Sequence, residues 1–431
     1  MKKLLLLLIP IFLVVLISLF SEQSGHDFST IQITAEEILG DPEYQAISFG
    51  AYRDTTRDVQ PTIPQLKDDV QLLHAMGVRL LRTYNVHYYE AANLLQAIRE
   101  IREEDPDFEM YLMLGAWIDA KHAWTDEPER IRDEDSPRNE VEIATAVELA
   151  QQYPEIVKII AVGNEAMVHW AWDYYVEPSI ILQWVNHLQD LKDQGELPET
   201  LWITSSEDFA AWGGGDSVYH TDDLNKLFEA VDFISMHTYP MHNTHYNPEF
   251  WGVPEEEQHL SDLEKIHSAM DRSLELAVRQ YENVVEYMQS LGIDKPVHIG
   301  ETGWATVSNE YYGPEGAKST DEYKSGLYYK QVREWSNENN ITVFYFEAFD
   351  EPWKDAENPL GSENHFGLIN LDAQAKYAIW DYVDAGIFDG LTRDGKPITK
   401  TYDGDLDALL EDVLVPPTEE EIEERLKREA Q

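Results

Sequence analysis

From residue 45 onward, short apolar or β-branched runs alternate with longer stretches whose apolar positions recur at helical spacing. Eight runs stand out: 46–52 (AISFGAY), 78–84 (VRLLRTY), 110–117 (MYLMLGAW), 157–165 (VKIIAVGNE), 201–206 (LWITSS), 231–238 (VDFISMHT), 296–303 (PVHIGETG) and 342–349 (TVFYFEAF). Their apolar character is nearly continuous rather than strictly alternating, as expected of strands buried on both faces of a parallel sheet. Between them the pattern predicts helices over 64–76 (closing at Gly77), 89–103, 140–152, 179–194, 222–230, 263–290 (closing at Gly292) and 321–337. A last helix is expected at 373–383. Eight strands, each followed by a helix, predict an α/β fold of the (β/α)8 TIM-barrel type. The competing arrangement, a doubly wound open sheet, lacks its G-x-G-x-x-G after the first run.

The ends of the chain read differently. Lys2 and Lys3 precede an unbroken apolar run at 4–20, which predicts a signal peptide or membrane anchor over 1–24 and an exported remainder. Residues 25–44 read as a lead-in, 45–387 as the barrel, and 388–431 as a C-terminal extension. Within the extension, Asp394-Gly395 and Lys396-Pro397 read as turns. Thr418 and Glu421 form a capping box opening a charged helix, expected to be a solvated tail. Long insertions follow strand 3 (118–139, charged) and strand 6 (239–260, rich in His, Asn and aromatics). Both lie on the face where such barrels build active sites.

Charge narrows the partners. With 82 Asp and Glu against 32 Lys and Arg, the formal net charge is −50. Such a surface repels phosphate backbones and acidic membranes, so nucleic acid is excluded as a partner. At 43% hydrophobic residues the chain still has enough apolar side chains for a large core. It has no cysteine, which removes disulfides, thiolate metal sites and a Cys nucleophile.

Two carboxylates stand out by position. Glu165 ends strand 4 and Glu301 lies at the end of strand 7. Those strand ends face each other across the top of an eight-stranded barrel, so both side chains can enter one cleft. A close carboxylate pair is the arrangement for retaining glycoside cleavage, one group acting as acid and the other as nucleophile. Position alone does not say which is which.

The segments AVGNEA (161–166), HIGETGWAT (298–306), FEAFDEPWK (346–354) and ENHFGL (363–368) resemble glycoside hydrolase family 17. These are β-1,3-glucanases and related transglycosylases, retaining barrels with catalytic Glu on strands 4 and 7. The likeness runs in order from about Ile47 to Asp372. It implies a cofactor-free glycoside hydrolase acting on laminarin-type β-1,3-glucan, with Glu165 as acid/base and Glu301 as nucleophile.

The resemblance also implies a set of substrate-binding residues. Arg82 and Tyr84 match an Arg-x-Tyr pattern, with Arg82 expected to hold Glu301 ionised through a bidentate pair. Asn164 is expected to donate to the sugar 2-OH, and Tyr239 to lie near the reacting sugar. Glu351, Lys354 and Glu363 match charged positions bordering the cleft and pairing near the catalytic acids, and Glu347 is expected to be buried in the site. Aromatic candidates for stacking on sugar faces are Tyr52, Trp117, Trp170, Trp304, Trp353 and Phe366, with Trp304 and Phe366 favoured because they lie inside matched motifs.

Other signals carry less. His237, His242 and His245 fit no zinc spacing, and no metal is assigned. GPEGAKST at 313–320 mimics a phosphate loop but has the wrong spacing, and Asp403, Asp405 and Asp407 lack a full calcium loop. The alternatives for the site are a β-1,3-glucanosyltransferase using the same two glutamates and a non-catalytic glucan-binding barrel.

Overall fold

A computed structural model describes Phe28 and residues 31–429 of the chain. The apolar run at 4–20 therefore lies outside the described residues. Among those described, no helix is long and apolar enough to cross a membrane.

Eight parallel strands close into a barrel: β1 (Gln45–Ser48), β2 (Val78–Arg82), β3 (Tyr111–Ala116), β4 (Val157–Asn164), β5 (Trp202–Asp208), β6 (Ile234–His237), β7 (Val297–Gly303) and β8 (Val343–Phe346). Each pairs with its neighbours in sequence, and β1 closes on β8. The near-continuous apolar runs have a direct cause. Ala46, Leu80, Met113, Ile159 and Phe344 point into the barrel, while Ile47, Leu81, Leu112, Ile160 and Tyr345 pack outward against the helices. Both faces of each strand are buried.

The inward positions change character along the strands. Ala46 gives way to Ser48, Leu80 to Arg82 and Phe233 to Ser235 and His237, all buried. The lower barrel is thus apolar and the upper barrel polar. Ala35, Ile38 and Leu39 join the apolar part from below, where the short helix Ala35–Ile38 starts at a Thr34–Glu37 capping box. The lead-in therefore stoppers the base, and the C-terminal face is left for chemistry.

The surrounding helices include Ile63–Ala75, Glu90–Glu104, Pro137–Gln152, Pro178–Asp193, Asp222–Ala230, Asp262–Ser290 and Glu322–Glu338, matching the predicted elements. The eighth differs. Helix forms only from Tyr377 to Asp384, first as a 3-10 turn and then as a short α-helix. Gln374–Ala375 instead pair with Thr399–Lys400, after a turn in which Ala373 takes φ +60°.

The extension also corrects two expectations. Asp394 and Gly395 do turn the chain, both at positive φ, but Lys396–Pro397 is the returning strand against Thr392–Arg393. The final helix, Glu419–Glu429, is docked rather than solvated on all sides. Ile422 and Arg425, three residues apart and hence on one face, are each only 7% exposed, and Val253 bridges to Thr418.

Candidate active site

Both carboxylate-bearing strands carry an extra residue just before their glutamate. On β4, Ala161 and Asn164 oppose Thr204 and Ser206, so three steps match two. On β7, Ile299 and Glu301 oppose Met236 and His237, so two steps match one. Such bulges re-aim the following side chain. Gly163 takes φ +84° in the first bulge, and Glu165 itself takes φ +46°. In the second, a Cβ on Gly300 would stand 2.0 Å from Ser235 Oγ, so only glycine fits.

The result is a convergent pair. A carboxylate oxygen of Glu165, one of Glu301 and a ring nitrogen of His237 all lie within 4.8 Å of one another. Glu301 is held by three donors. Arg82 Nη1 reaches Oε2 at 2.8 Å, Tyr84 Oη reaches Oε2 at 2.7 Å and Tyr239 Oη reaches Oε1 at 2.6 Å. The Arg82 contact is not the bidentate pair expected from sequence. Its Nη1 is shared with the Gly300 carbonyl, and its Nη2 turns to Asn164 Oδ1. The fork thus ties the two carboxylate-bearing strands together.

The environments of the two acids diverge. Burial raises the Glu165 carboxyl well above the usual range, and the charge of Glu301 raises it further. Burial would raise Glu301 too, but the charge of Arg82 and the hydroxyl donors of Tyr239 and Tyr84 act against it, and the carboxyl is held low. One group keeps its proton where the other has lost it. His237 Nδ1 lies 3.0 Å from Glu165 Oε1, and its Nε2 lies 2.8 Å from Ser206 Oγ. Burial lowers the imidazole to about 3, so the ring is neutral. A cation at this cluster would have to displace Arg82 and both tyrosine hydroxyls from Glu301, so the donor set suits proton transfer rather than metal binding.

A cleft of about 980 Å³ opens above the pair, lined by Tyr52, Tyr84, Tyr88, Trp117, Trp124, Asn164, Phe346, Trp353, Lys354 and Glu363 among others. Lys354 Nζ lies 2.7 Å from Glu347 Oε2 and 3.3 Å from Glu351 Oε2, and Glu351 Oε1 accepts the Tyr52 amide. This charged knot fastens the loop after β1 to that after β8 and does not touch Glu165 or Glu301 directly. Glu363 stands at the rim, its side chain 49% exposed and 4.0 Å from His242.

The aromatic candidates divide. Tyr52, Trp117 and Trp353 line the cleft. Trp304 does not. It is fully buried, donates to the Ser319 carbonyl and packs on Trp251 and Tyr328, turned away from the cleft. Phe366 is 1% exposed and meets Tyr239 and Phe346 edge-on, so it supports the wall rather than offering a face. Trp170 is exposed on the loop after β4 and is not a cleft-lining residue. Of the other histidines, His242 stacks on Tyr239 and Tyr312, and His245 on Tyr311.

Glu207 and Trp124 are absent from the sequence reading, and His237 enters it only among three histidines that fit no zinc spacing and read as cleft-lining or exposed. Glu207, fully buried, accepts from the Met167 amide and Ser205 Oγ and braces the loop behind Glu165; burial raises it to about 8. Trp124 joins the cleft wall from the strand-3 insertion. The pairing of polar residues with β5, as in SSED at 205–208, was the available signal for Glu207.

The model of the BtgE/BtgC glycoside hydrolase domain matches residues 46–367, which include every residue of this cluster. The chain belongs to that family. The family-17 likeness of its motifs agrees with this membership. A solved endo-laminarinase from Formosa Hel1_33_131 is 59% identical, with a TM-score of 0.89, covering 90% of this chain and 98% of that one. A glucan 1,3-β-glucosidase from Arthroderma benhamiae is 36% identical over 88 residues, 19% of this chain. A β-1,3-glucanosyltransferase from Rhizomucor miehei, solved with laminaritriose, shares the fold at 21% identity and a TM-score of 0.53, covering 78% of this chain and 96% of that one. The chain spans about a third of the length of the curated relatives it matches, 27% and 36%. Family membership makes the barrel a glycoside hydrolase.

Proposed function

We propose that this chain is a retaining endo-β-1,3-glucanase acting on laminarin-type glucan, with Glu165 as general acid/base and Glu301 as nucleophile. The observation that carries the reading is the pair itself, two carboxylate oxygens within 4.8 Å, one carboxyl pushed up by burial and the other held low by Arg82 and two tyrosine hydroxyls. Retaining enzymes hold their carboxyl groups about 5–5.5 Å apart, whereas inverting ones need about 6.5–9.5 Å to admit a water. The high identity to an endo-laminarinase supports the substrate class.

The chemistry then follows from the surroundings of each group. Ionised Glu301 attacks the anomeric carbon as Glu165 gives its proton to the departing glycosidic oxygen, and a glycosyl ester forms on Glu301. Glu165, now ionised, takes a proton from water, which attacks the same carbon and frees Glu301. Asn164 Oδ1 is occupied by Arg82, so its amide N–H groups are left to donate to the sugar 2-OH. Lys2, Lys3 and the apolar run at 4–20 support an exported enzyme, consistent with a polymeric substrate found outside the cell.

Incubation with linear β-1,3-glucan should release new reducing ends, and Glu301→Gln should abolish release while glucan binding persists. Unchanged hydrolysis by Glu301→Gln would refute the assignment. Products longer than the starting oligosaccharide would mark transfer to sugar in place of water, the glucanosyltransferase alternative.

A further inference from the structure

The insertion after β3 builds a part of the cleft wall that the catalytic account does not use. Trp124 is 51% exposed there, yet it is firmly held. Its Nε1 donates to Asp119 Oδ1 at 2.9 Å, and the same oxygen accepts Trp117 Nε1 at 2.7 Å. Asp119 is 3% exposed and is itself fixed. Its amide donates to Asn139 Oδ1, and Asn139 Nδ2 returns a bond to the Asp119 carbonyl. Trp124 stacks on Tyr174 at 5.7 Å and 22°, and Trp117 leans on the same ring at 4.9 Å. The backbone departs from the ordinary as well, with φ +70° at His122 and +58° at Trp124, a region that side chains other than glycine rarely adopt.

These features have one common outcome. Both indole N–H groups are spent on a buried carboxylate, so each ring offers the cleft an apolar face and no donor. Trp117, Asp119 and Trp124 line the same cleft as Glu165 and Glu301, and exposed Val141 extends the apolar strip. A β-linked glucosyl unit has equatorial hydroxyls and therefore apolar C–H faces above and below its ring. A rigid aromatic surface with its polar atoms tied back suits that face.

We propose that Trp117 and Trp124, clamped by Asp119, form a glucosyl-binding platform at the strand-3 end of the cleft, beyond the reacting unit, which makes the enzyme favour long chains. The proposal rests on the β-1,3-glucan reading.

The test compares full-length wild-type and Trp124→Ala protein on linear β-1,3-glucan oligosaccharides of increasing length and on the polymer. The ratio of kcat/KM on the polymer to that on the shortest cleaved oligosaccharide should fall about tenfold, equivalent to about 1.4 kcal/mol. Trp124→Phe, which keeps a ring, should recover most of the ratio, and Asp119→Ala, which releases both indoles, should lower it. Retention in a gel containing the polymer, measured for Trp124→Ala in a Glu301→Gln background, should weaken in step. A ratio unmoved in Trp124→Ala, or an equal loss at every chain length, would overturn the platform. A wild-type protein that cleaves none of these substrates would instead overturn the reading beneath it.

Discussion

His237 Nδ1 stands 3.0 Å from Glu165 Oε1, at the top of a chain of polar contacts running through Ser206 Oγ to Ser235 Oγ, each step 2.8 Å. In its proposed role as acid, Glu165 must keep one oxygen free to carry its proton to the leaving group. With a neutral imidazole donating from Nδ1 to Oε1, that oxygen is Oε2. The ring thus orients the carboxyl and favours its ionised form when water is activated. His237→Phe removes the donor. It should raise the Glu165 pKa, move the basic limb of the kcat profile to higher pH and lower kcat about 10–100-fold. A basic limb that stays in place, measured over the full pH range, would remove His237 from this role.

Glu301, the proposed nucleophile, is tuned from the other side. Tyr84 and Tyr239 each donate to Glu301, one to each oxygen. Both bonds favour the ionised carboxylate, so losing either raises its pKa. In Tyr84→Phe and Tyr239→Phe the acid limb of kcat/KM should move to higher pH, with a loss of about tenfold at the optimum. A fall in rate without a shift of the limb would mean the hydroxyls touch the sugar rather than tune the carboxylate.

Glu207 makes a prediction about stability. Burial lifts its carboxyl from an ordinary 4.5 to about 8. Between those values the folded protein holds a proton that the unfolded chain has released, so its contribution to stability falls as pH rises. Melting curves of the wild type and Glu207→Gln between pH 5 and 8 should diverge in slope, about the range bounded by the two pKa values. The variant, unable to ionise, should lose less as pH rises. Parallel slopes would show that Glu207 ionises freely in the fold.

One buried carboxylate, Asp69, is shared between the barrel side and the C-terminal extension. Asp69, fully buried, takes Arg53 on both oxygens at 2.7 and 2.9 Å, and Arg393 Nε at 3.0 Å. Arg393 is 1% exposed. Removing the shared anion strands the buried Arg393 guanidinium, while the half-buried Arg53 keeps Asp394 at 3.0 Å, so Asp69→Ala should lose about 3–5 kcal/mol in denaturant unfolding. A loss below about 1 kcal/mol would place the pair among weak surface ion pairs.

The barrel was legible because its strands are buried on both faces. Ile47 and Ala46, or Leu80 and Leu81, pack in opposite directions, and neither direction tolerates polarity. Glu165 and Glu301 were legible because each closes an apolar strand run at the C-terminal face of the barrel. What the sequence hid were contacts made across the barrel. Nothing local to His237 says that Glu165 will reach its ring, and nothing in the motif around Trp304 says that the indole turns to Ser319 and not to the cleft. The last helix was misjudged for a similar reason. Ile422 and Arg425 are a thin stripe in a charged segment, and only the surface they meet makes them buried.

Carboxylate oxygens of Glu165 and Glu301 within 4.8 Å of each other match the spacing of a double displacement, the proposed mechanism, which retains configuration in the first product. Proton NMR of a linear β-1,3-oligosaccharide digest, recorded in the first moments before mutarotation, reads that outcome directly. A double displacement releases the new reducing end as the β anomer. Initial appearance of the α anomer would contradict it.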